Sequence, residues 1–597
     1  MSDSLDAILL DYYQRELTWL RRAGSDFAQR HPKVAQRLEL SPSECADPHV
    51  ERLLESFALL TARLSRRLDD EYAEFSNALL EQLYPLSLRP WPSCAIAQVQ
   101  PNSAQGSLAQ GHTLPRGVPL FATTSKGDSI HFRTAAPVTI WPLEISGAGL
   151  LGSEETQALT GLTEGASALR LDVVRLGETP LNDLPLSSLR IYLSASPMVN
   201  AQLYDLLGAH TLAVLSSSPG EPPERCAGLP RSVGFLPEES LLPDEDGIHP
   251  GLRLLAEFFA FPDKFTFFDI PVSAPAGAID QMTLYLVFDE APAGRISLQR
   301  EDIALGCVPV INLFPRTSEP LRPDGTRSEY RLVADAYREN SVEIHSIRSV
   351  RAHTSRGVRA VAPYYSCQHN GGSEGLYWHA RRIEGLNPLR QGSDLMISLV
   401  DTQLDPAREA PEYSYTADLL CTSRHMAQTL AAGTPLNTER PGPVACIKLL
   451  TKPLSQIKPD LTGASRWQLV SQLTLNHLSL VEGEHALAAL KEMLHLHNLR
   501  GDGAARRQIE GITRLETTRI VDRVGHDAWR GWRNGYEVRV ELDSAAMTGT
   551  SPVLFTGVLA HFFCLYANAN RFVRTVLIRG DKGIQTWQPR MEAALSL

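Results

Sequence analysis

The sequence predicts an α+β protein, in which an N-terminal hairpin of long helices is followed by several β-rich domains and a mixed α/β C-terminal domain. Three observations predict this class. Residues 1–90 carry apolar side chains at helical spacing, residues 91–455 carry short alternating runs separated by Gly and Pro, and residues 456–597 combine both patterns. For a chain of 597 residues we therefore predict four domains, at residues 1–90, 91–302, 303–455 and 456–597.

The clearest element is the stretch from Pro48 to Leu83, which contains no Gly and no internal Pro. Asp47 stands where an N-cap is expected, Pro48 suits the first helical position, and Pro85 ends the helix. A helix of this length spans about 54 Å. Its apolar residues recur every three or four positions, at Val50, Leu53, Leu54, Phe57, Leu60, Leu64, Leu68, Tyr72, Phe75, Leu79 and Leu83.

Such a stripe is not expected to face water along its whole length. Burial of each large apolar side chain gains roughly 1.5–3 kcal/mol, so about ten of them give roughly 15–30 kcal/mol before the ordering entropy is subtracted. Two interpretations stay open from these residues alone. The helix either packs within its own chain, with the first helix predicted over 6–29, or joins a bundle with helices of partner subunits. A cofactor site is not expected there, because His49 and Cys45 have no second ligand at helical spacing.

Composition restricts the function classes. The chain is 43% hydrophobic and 21% charged, which is typical of a globular protein, and its net charge of −11 argues against a general phosphate-binding surface. The eight cysteines are scattered without a C-x₂-C pair, as in cytosolic proteins with reduced thiols. The acidic N-terminus lacks the core of a signal peptide. The longest apolar run, 553–567, is too short and too interrupted to span a bilayer and predicts a buried helix.

The remaining elements follow from local patterns. Alternating or β-branched runs predict strands at 95–99, 131–133, 138–140, 169–174, 264–270, 282–288, 308–313, 330–333, 342–347, 395–399, 509–521, 536–542 and 575–579. Apolar residues at helical spacing predict helices at 198–208, 252–259, 467–480, 485–499 and 553–569. No period of 20–50 residues is present, so the sequence does not predict a solenoid or a propeller.

One motif has the spacing of a dinucleotide-binding fingerprint. Gly147, Gly149 and Gly152 match G-x-G-x-x-G after a predicted strand, and Asp172 follows twenty residues later. The helix predicted after it, 153–162, is short, and no βαβ series follows. We interpret the glycines as a flexible loop and expect no nucleotide site.

Other catalytic patterns are missing from the sequence. It contains neither G-x-x-x-x-G-K-[ST] nor G-x-S-x-G. His495 and His497 lie about 200° apart on the predicted helix, which prevents them from binding one metal ion. The sequence therefore predicts no catalytic residue, no cofactor and no metal site, and the protein is not expected to be an enzyme.

Dense aromatic and proline-containing strings instead carry a family resemblance. They run in order along the chain: Asp11–Leu17 (DYYQREL) with the long helix, Phe132-Arg133-Thr134, Arg253–Ile270 (RLLAEFFAFPDKFTFFDI), Gly306–Phe314 (GCVPVINLF), Ser471–Leu480 (SQLTLNHLSL) and Leu554–Phe572 (LFTGVLAHFFCLYANANRF). In these strings the chain resembles the TssF family, the large wedge subunit of the type VI secretion baseplate.

The resemblance implies a structural protein. Two copies are expected to assemble with one TssG and to dock TssE, TssK and the VgrG spike, supporting assembly of the contractile sheath and tube. The expected location is cytoplasmic, at the inner face of the inner membrane, without binding to nucleic acid or insertion into the membrane. A baseplate wedge protein of a related contractile injection particle or tailocin is the alternative, and a nucleotide-binding enzyme is less favoured.

The resemblance also favours the shared bundle over the hairpin for the long helix. Heptad-like spacing is what a bundle of separate chains requires. The expected partner-binding residues, which we call the bundle seam, are Val50, Leu53, Phe57, Leu60, Leu64, Leu68, Tyr72, Phe75 and Leu79.

Overall fold

The architecture was taken from a computed structural model of the chain. The structure describes residues 2–31, 33, 48–102, 108–124, 127–243, 248–324, 326–355, 357–364, 376–387, 390, 392–400, 413–439, 442–460, 463–474, 486–523, 532–566, 571–580, 582–588 and 590–591. The predicted N-cap at Asp47 lies outside these residues.

The helices confirm most of the periodicity in the sequence. They are α1 (Ser2–Arg30), α2 (Pro48–Leu83), α3 (Ser153–Thr160), α4 (Pro197–Ala209), α5 (Pro250–Ala260), α6 (Gly463–Thr474), α7 (Ala486–His497), α8 (Gly503–Glu510) and α9 (Pro552–Phe563). The long helix α2 has the predicted bounds. Residues 475–480 of the predicted helix 467–480 lie outside the described part of the chain.

The strands of the first half of the chain lie between Cys94 and Ile311. They are β1 (Cys94–Pro101), β2 (His112–Leu114), β3 (Pro119–Thr123), β4 (Ser129–Thr134), β5 (Val138–Ile140), β6 (Leu143–Leu151), β7 (Ser167–Arg175), β8 (Ser188–Leu193), β9 (Thr211–Ser217), β10 (Glu224–Arg225), β11 (Arg231–Ser232), β12 (Phe267–Pro271), β13 (Gln281–Phe288), β14 (Ile303–Leu305) and β15 (Cys307–Ile311).

The second half continues the β-rich region and ends in a smaller mixed part. Its strands are β16 (Phe314–Thr317), β17 (Tyr330–Arg331), β18 (Glu343–Thr354), β19 (Gly357–Pro363), β20 (Tyr377–Glu384), β21 (Ser393–Val400), β22 (Ser414–Thr422), β23 (Pro435–Thr438), β24 (Val444–Leu449), β25 (Ile512–Arg523), β26 (Trp532–Leu542), β27 (Phe572–Arg579), β28 (Lys582–Thr586) and β29 (Arg590–Met591). Together with the helical N-terminus, these strands confirm the α+β class.

The chain divides into two compact units. The first comprises Met1–Leu88, Arg382–Asp394 and Asp460–Leu473, and the second comprises Arg89–Arg381, Leu395–Pro459 and Thr474–Leu597. The four domain boundaries predicted from the sequence stay a prediction.

The second unit contains a closed barrel whose strands come from distant parts of the chain. Their order is β1-β15-β4-β3-β23-β24. Strand β1 pairs antiparallel with both β15 and β24, placing Cys94 opposite Ile311 and Ala97 opposite Leu449. Alternating residues of these strands fill the barrel interior, including Phe132 and Val310.

Four larger sheets and one short pair complete the β structure. The five-stranded order β10-β9-β13-β7-β6 and the four-stranded order β11-β12-β8-β14 are antiparallel throughout. A seven-stranded sheet has the order β16-β22-β18-β19-β20-β21-β17, and β2 pairs β5. In the C-terminal sheet, β25-β26-β27-β28 with β29 beside β27, the pair β26–β27 is parallel and α9 lies between its strands in sequence.

Helix α9 is the buried helix that the apolar run predicted. From Val553 to Ala560 every residue is buried, and the helix packs against α4, α5 and β27. Its N-terminus is capped by Ser551, whose side chain accepts a hydrogen bond from the backbone N–H of Leu554. Within the described residues, no helix has both the length and the hydropathy that a membrane span requires.

Two strand predictions began too early. Ile509 lies in α8 and not in a strand. The side chain of Asp502 accepts a hydrogen bond from the N–H of Ala504 and caps this helix, which precedes β25. Lys264 belongs to a short 3₁₀ turn, Pro262–Phe265, which precedes β12. In both cases a helix-start signal next to the apolar run outweighed the β propensity of the run itself.

Candidate interaction surface

Helices α1 and α2 pack against each other as a hairpin within the first unit. Arg21 of α1 forms an ion pair with Glu51 of α2, with 2.5 Å between Nη2 and Oε1. The hydroxyl of Ser65 donates to Oε1 of Glu16 at 3.2 Å. The intramolecular interpretation of the long helix is therefore correct for one of its faces.

The face of α2 that contacts α1 is built from small side chains. Ala58 and Ala62 are completely buried, and Ala28 of α1 is buried as well. Small residues let two helices approach closely, so this contact uses little of the large apolar surface of α2. Several large apolar residues of α2 are left for another surface.

Four large apolar residues of α2 point away from this contact. The exposed fraction is 72% for Leu53, 56% for Phe57, 60% for Leu60 and 61% for Leu64. At 100° per residue they form one narrow line, centred about 150° around the helix from the buried alanines. We call these four residues the α2 stripe. Their spacing of four, three and four residues is that of a coiled-coil seam.

The other predicted residues of the bundle seam extend this line in both directions. Leu79 is half-buried. The remaining four lie on the described backbone of α2, but their side chains are outside the described part of the structure: Val50, Leu68, Tyr72 and Phe75.

One exposed aromatic residue on the neighbouring helix was not among the predicted site residues. Trp19 of α1 is 63% exposed. It lies level with the α2 stripe, because Glu16 and Arg21 on either side of it contact the segment of α2 from Glu51 to Ser65. Its position outside the main apolar stripe of α1 could have indicated an exposed aromatic residue.

Two of the three glycines of the candidate nucleotide motif lie in a strand and not in a loop, which corrects the prediction, and the third, Gly152, is the N-cap of α3. Gly147 and Gly149 lie inside β6, which pairs antiparallel with β7. Gly147 is opposite Asp172, and a Cβ atom at Gly147 would stand 2.9 Å from Oδ2 of that residue. Asp172 itself accepts hydrogen bonds from Thr283 and Arg170. The turn between a parallel strand and a helix that cradles a pyrophosphate is therefore replaced by an antiparallel strand.

The histidines of α7 lie in different environments, as their spacing predicts. His497 is buried, whereas His495 is partly exposed and contacts Glu510, with 2.8 Å between Nε2 and Oε1. No group of three or more metal-ligating side chains occurs among the residues that the structure describes.

Burial of two histidines makes stability depend on pH. Burial lowers the pKa of His497 and of His249 to about 4. Because these folded-state pKa values lie below the value of about 6.5 in an unfolded chain, unfolded protein binds more protons between pH 6.5 and pH 4. We expect the free energy of unfolding to fall by about 2 kcal/mol per histidine between pH 7.5 and pH 5.

Urea denaturation at the two pH values measures this dependence. The His497→Leu variant should lose about 2 kcal/mol less than the parent chain over the same interval. An equal loss in the variant and the parent would contradict the assignment to this histidine.

The second unit also holds a buried ionic network. Lys264 and Glu257 are completely buried and form an ion pair, and burial lowers the pKa of the Lys264 ammonium. The other oxygen of Glu257 accepts the backbone N–H of Leu241 at 3.0 Å. Glu239 is buried beside them and accepts the N–H of Gly234 at 2.6 Å. These carboxylates are fully used in holding the segment 231–243, which makes the network a structural one.

Comparison with known proteins agrees with this picture of helices, barrel and sheets. The family model described as Type VI secretion system, TssF matches residues 5–594. The type VI secretion system component TssF1 of Pseudomonas aeruginosa is 32% identical over 616 residues, which cover 98% of this chain and 98% of the relative.

Two solved structures share the fold. One is a chain of the type VI secretion TssK-TssF-TssG baseplate subcomplex, at 25% identity and a TM-score of 0.73, covering 91% of this chain and 98% of that chain. The other belongs to the baseplate complex from the type VI secretion system, at 24% identity and a TM-score of 0.59, covering 97% of this chain and 99% of that chain. The chain belongs to the TssF family of the type VI secretion system, and its role is that of a structural component of the baseplate.

Proposed function

We propose that the chain is a wedge subunit whose α2 stripe packs against helices of a TssG-like partner and of a second copy of the chain. The observation that carries this proposal is the exposure of Leu53, Phe57, Leu60 and Leu64 on a helix whose opposite face is already packed against α1. Covering four such side chains gains roughly 6–12 kcal/mol before association costs are subtracted.

A shared helical bundle is the structure that fits this surface. The four residues have heptad-like spacing, so a partner helix can place its own apolar residues between them. Trp19 stands level with them and adds a large aromatic side chain, of the kind that often dominates interface energies. The bundle seam then includes Val50, Leu68, Tyr72, Phe75 and Leu79, as the sequence predicted.

The identity of the partners comes from the solved relative. That protein is a chain of a subcomplex with TssK and TssG. We therefore assign TssK-like and TssG-like proteins as partners of this chain, in a ratio of two copies of the chain to one TssG. Contacts with a TssE-like protein and a VgrG-like spike, and a cytoplasmic location at the inner face of the inner membrane, belong to the same proposal and rest on family membership.

The proposal assigns no catalytic activity to the chain. The buried carboxylates that catalysis could use, such as Glu257 and Glu239, are occupied by backbone N–H groups and by cations. Gly147 and Gly149 of the glycine motif are part of an antiparallel strand. Positioning of other proteins is the function that these features support.

Coexpression of the chain with its TssG-like partner tests the stoichiometry. Affinity purification through a tag on the partner, followed by native mass spectrometry, should give a complex with two chains of 65.7 kDa for each partner. A complex with one chain per partner, or an untagged chain that stays in the unbound fraction, would contradict the proposal.

A further inference from the structure

Strand β25 is a long strand at the edge of the C-terminal sheet. It has 12 residues, whereas the other edge strands in the described part of the chain have between two and nine. The sheet order places β26 on one side of it, and no second strand pairs with it among the residues that the structure describes. Proteins protect such edges with Pro, Lys or bulges. Strand β25 contains no Pro and no Lys, and its irregular pairing with β26 is confined to its start, between Ile512 and Arg514.

The side chains of β25 are accessible along most of its length. Six of the 12 are exposed, and only Ile512 is buried. Val521 is 59% exposed, and Trp532, which lies opposite Arg523 on β26, is 74% exposed. Both stand at the hairpin end, beyond Gly535, where the pairing of β26 with β27 begins. This end of the hairpin therefore presents apolar side chains that a further strand would cover.

The two faces of β25 differ in their chemistry. Leu515 lies opposite the buried Val540 of β26, so the odd-numbered residues of β25 share the apolar face of the sheet. The even-numbered face carries two ion pairs with N–O distances of 2.5 and 2.7 Å, which are Arg514–Glu516 and Arg574–Asp522. A strand that pairs with β25 has to match one apolar face and one charged face.

A second copy of β25 provides this match in one register. In an antiparallel pair related by a twofold axis, one residue faces its own copy, and the others face residues at the same distance on its other side. With Thr518 on the axis, Arg514 faces Asp522 and Leu515 faces Val521. The first pairing joins the ion pairs of the two copies into one row of alternating charge. Opposite charges and apolar side chains placed directly opposite each other stabilise an antiparallel pair.

The neighbouring registers lack this match. With Thr517 on the axis, Leu515 faces the guanidinium of Arg519. With Arg519 on the axis, two guanidinium groups face each other and Glu516 faces Asp522. With Glu516 on the axis, two carboxylates face each other. Like charges directly opposite each other destabilise the pair, so the sequence of β25 favours self-pairing centred on Thr518.

We propose that β25 pairs with β25 of a second copy of the chain, antiparallel and with Thr518 on the twofold axis. The segments from Arg514 to Asp522 of the two copies exchange roughly eight to ten backbone hydrogen bonds, and the two C-terminal sheets become one continuous sheet. A second copy is favoured over a strand of another protein because the match of charges and apolar residues is contained in β25 itself. This surface is separate from the α2 stripe, so the proposal does not depend on what covers the stripe.

Disulfide trapping of the full-length chain tests the register. Facing residues of an antiparallel pair have Cα atoms about 4.5–5.5 Å apart, which a disulfide can span. Thr518 is exposed, and Thr518→Cys should form at least about tenfold more disulfide-linked dimer, at twice the 65.7 kDa of the chain, than the parent under mild oxidation. Because the chain has eight cysteines of its own, peptide mass spectrometry should show that the bond joins position 518 of both copies.

A cysteine elsewhere on the same strand is the matched control. Thr513 is also exposed. In the proposed register the two copies of position 513 lie ten residues apart along the strands, or about 34 Å. Thr513→Cys should therefore give no more dimer than the parent chain.

A further variant tests the contact itself. Val521→Asp places a carboxylate opposite Leu515 of the other copy, and it should lower the dimer yield of Thr518→Cys at least about tenfold. Val358→Asp is the control, because Val358 is 60% exposed on β19, and it should leave the yield unchanged.

Three results would overturn the proposal: no more dimer in Thr518→Cys than in Thr513→Cys, a yield that Val521→Asp leaves unchanged, or a disulfide that links position 518 to another protein when the TssG-like partner is present. The Thr518→Cys dimer should persist in the Leu64→Asp background, and its loss there would assign the contact between copies to the α2 stripe. The stripe itself is tested by copurification with the TssG-like partner, so the two proposals fail separately.

Discussion

Leu64→Asp and Phe57→Asp are each expected to abolish copurification of the chain with its TssG-like partner. Both residues belong to the α2 stripe, and their side chains are more than half exposed in the isolated chain. In a helical bundle the new carboxylate would be buried without a partner, which costs several kcal/mol. A loss of 4 kcal/mol lowers an affinity about a thousandfold, enough to separate the proteins during purification.

A matched control separates this effect from damage to the hairpin. Arg52→Asp introduces the same carboxylate at an exposed position of α2, about 110° around the helix from the stripe. It should leave copurification intact, and thermal melting should give the same unfolding temperature for all three variants. Retention of the partner by both Leu64→Asp and Phe57→Asp would refute the assignment of the stripe.

The second large effect is expected at the buried ion pair. Lys264→Met leaves the carboxylate of Glu257 buried and without its cation, and we expect a loss of about 3–5 kcal/mol in the free energy of unfolding. The double variant Lys264→Met, Glu257→Gln should recover most of this loss, since it removes both charges and keeps an acceptor for the N–H of Leu241. Urea denaturation of the full chain measures both values.

An exposed ion pair serves as the comparison. Arg351 and Asp418 are both partly exposed, so Arg351→Gln should cost no more than about 1 kcal/mol. If Lys264→Met costs no more than Arg351→Gln, the buried network does not hold the segment 231–243 as described.

Local structure could be predicted from the sequence where one stretch contained both the residues that form an element and the residues that end it. The bounds of α2 were set by Pro48 and Pro85, and the burial of α9 by its continuous apolar run. The closure of the barrel could not be predicted in this way. Strands β1 and β24 lie some 350 residues apart in sequence, and their local patterns contain no information on register or partner.

The sequence predicted the apolar stripe of α2, but it did not predict which residues pack within the chain and which stay exposed. Leu53 and Leu54 fit the same helical periodicity, yet Leu53 is largely exposed while Leu54 is half-buried. The packed face of α2 is marked by Ala58 and Ala62, which are completely buried. Their small side chains give only a weak hydrophobic signal in the sequence.

In the assembled wedge we expect the α2 stripe to be covered by helices of other chains. A cryo-electron microscopy map of the chain bound to its TssG-like partner would show whether it is. We expect a helix of another subunit in van der Waals contact with Leu53, Phe57, Leu60 and Leu64. A map in which these four side chains contact only their own chain or solvent would contradict it.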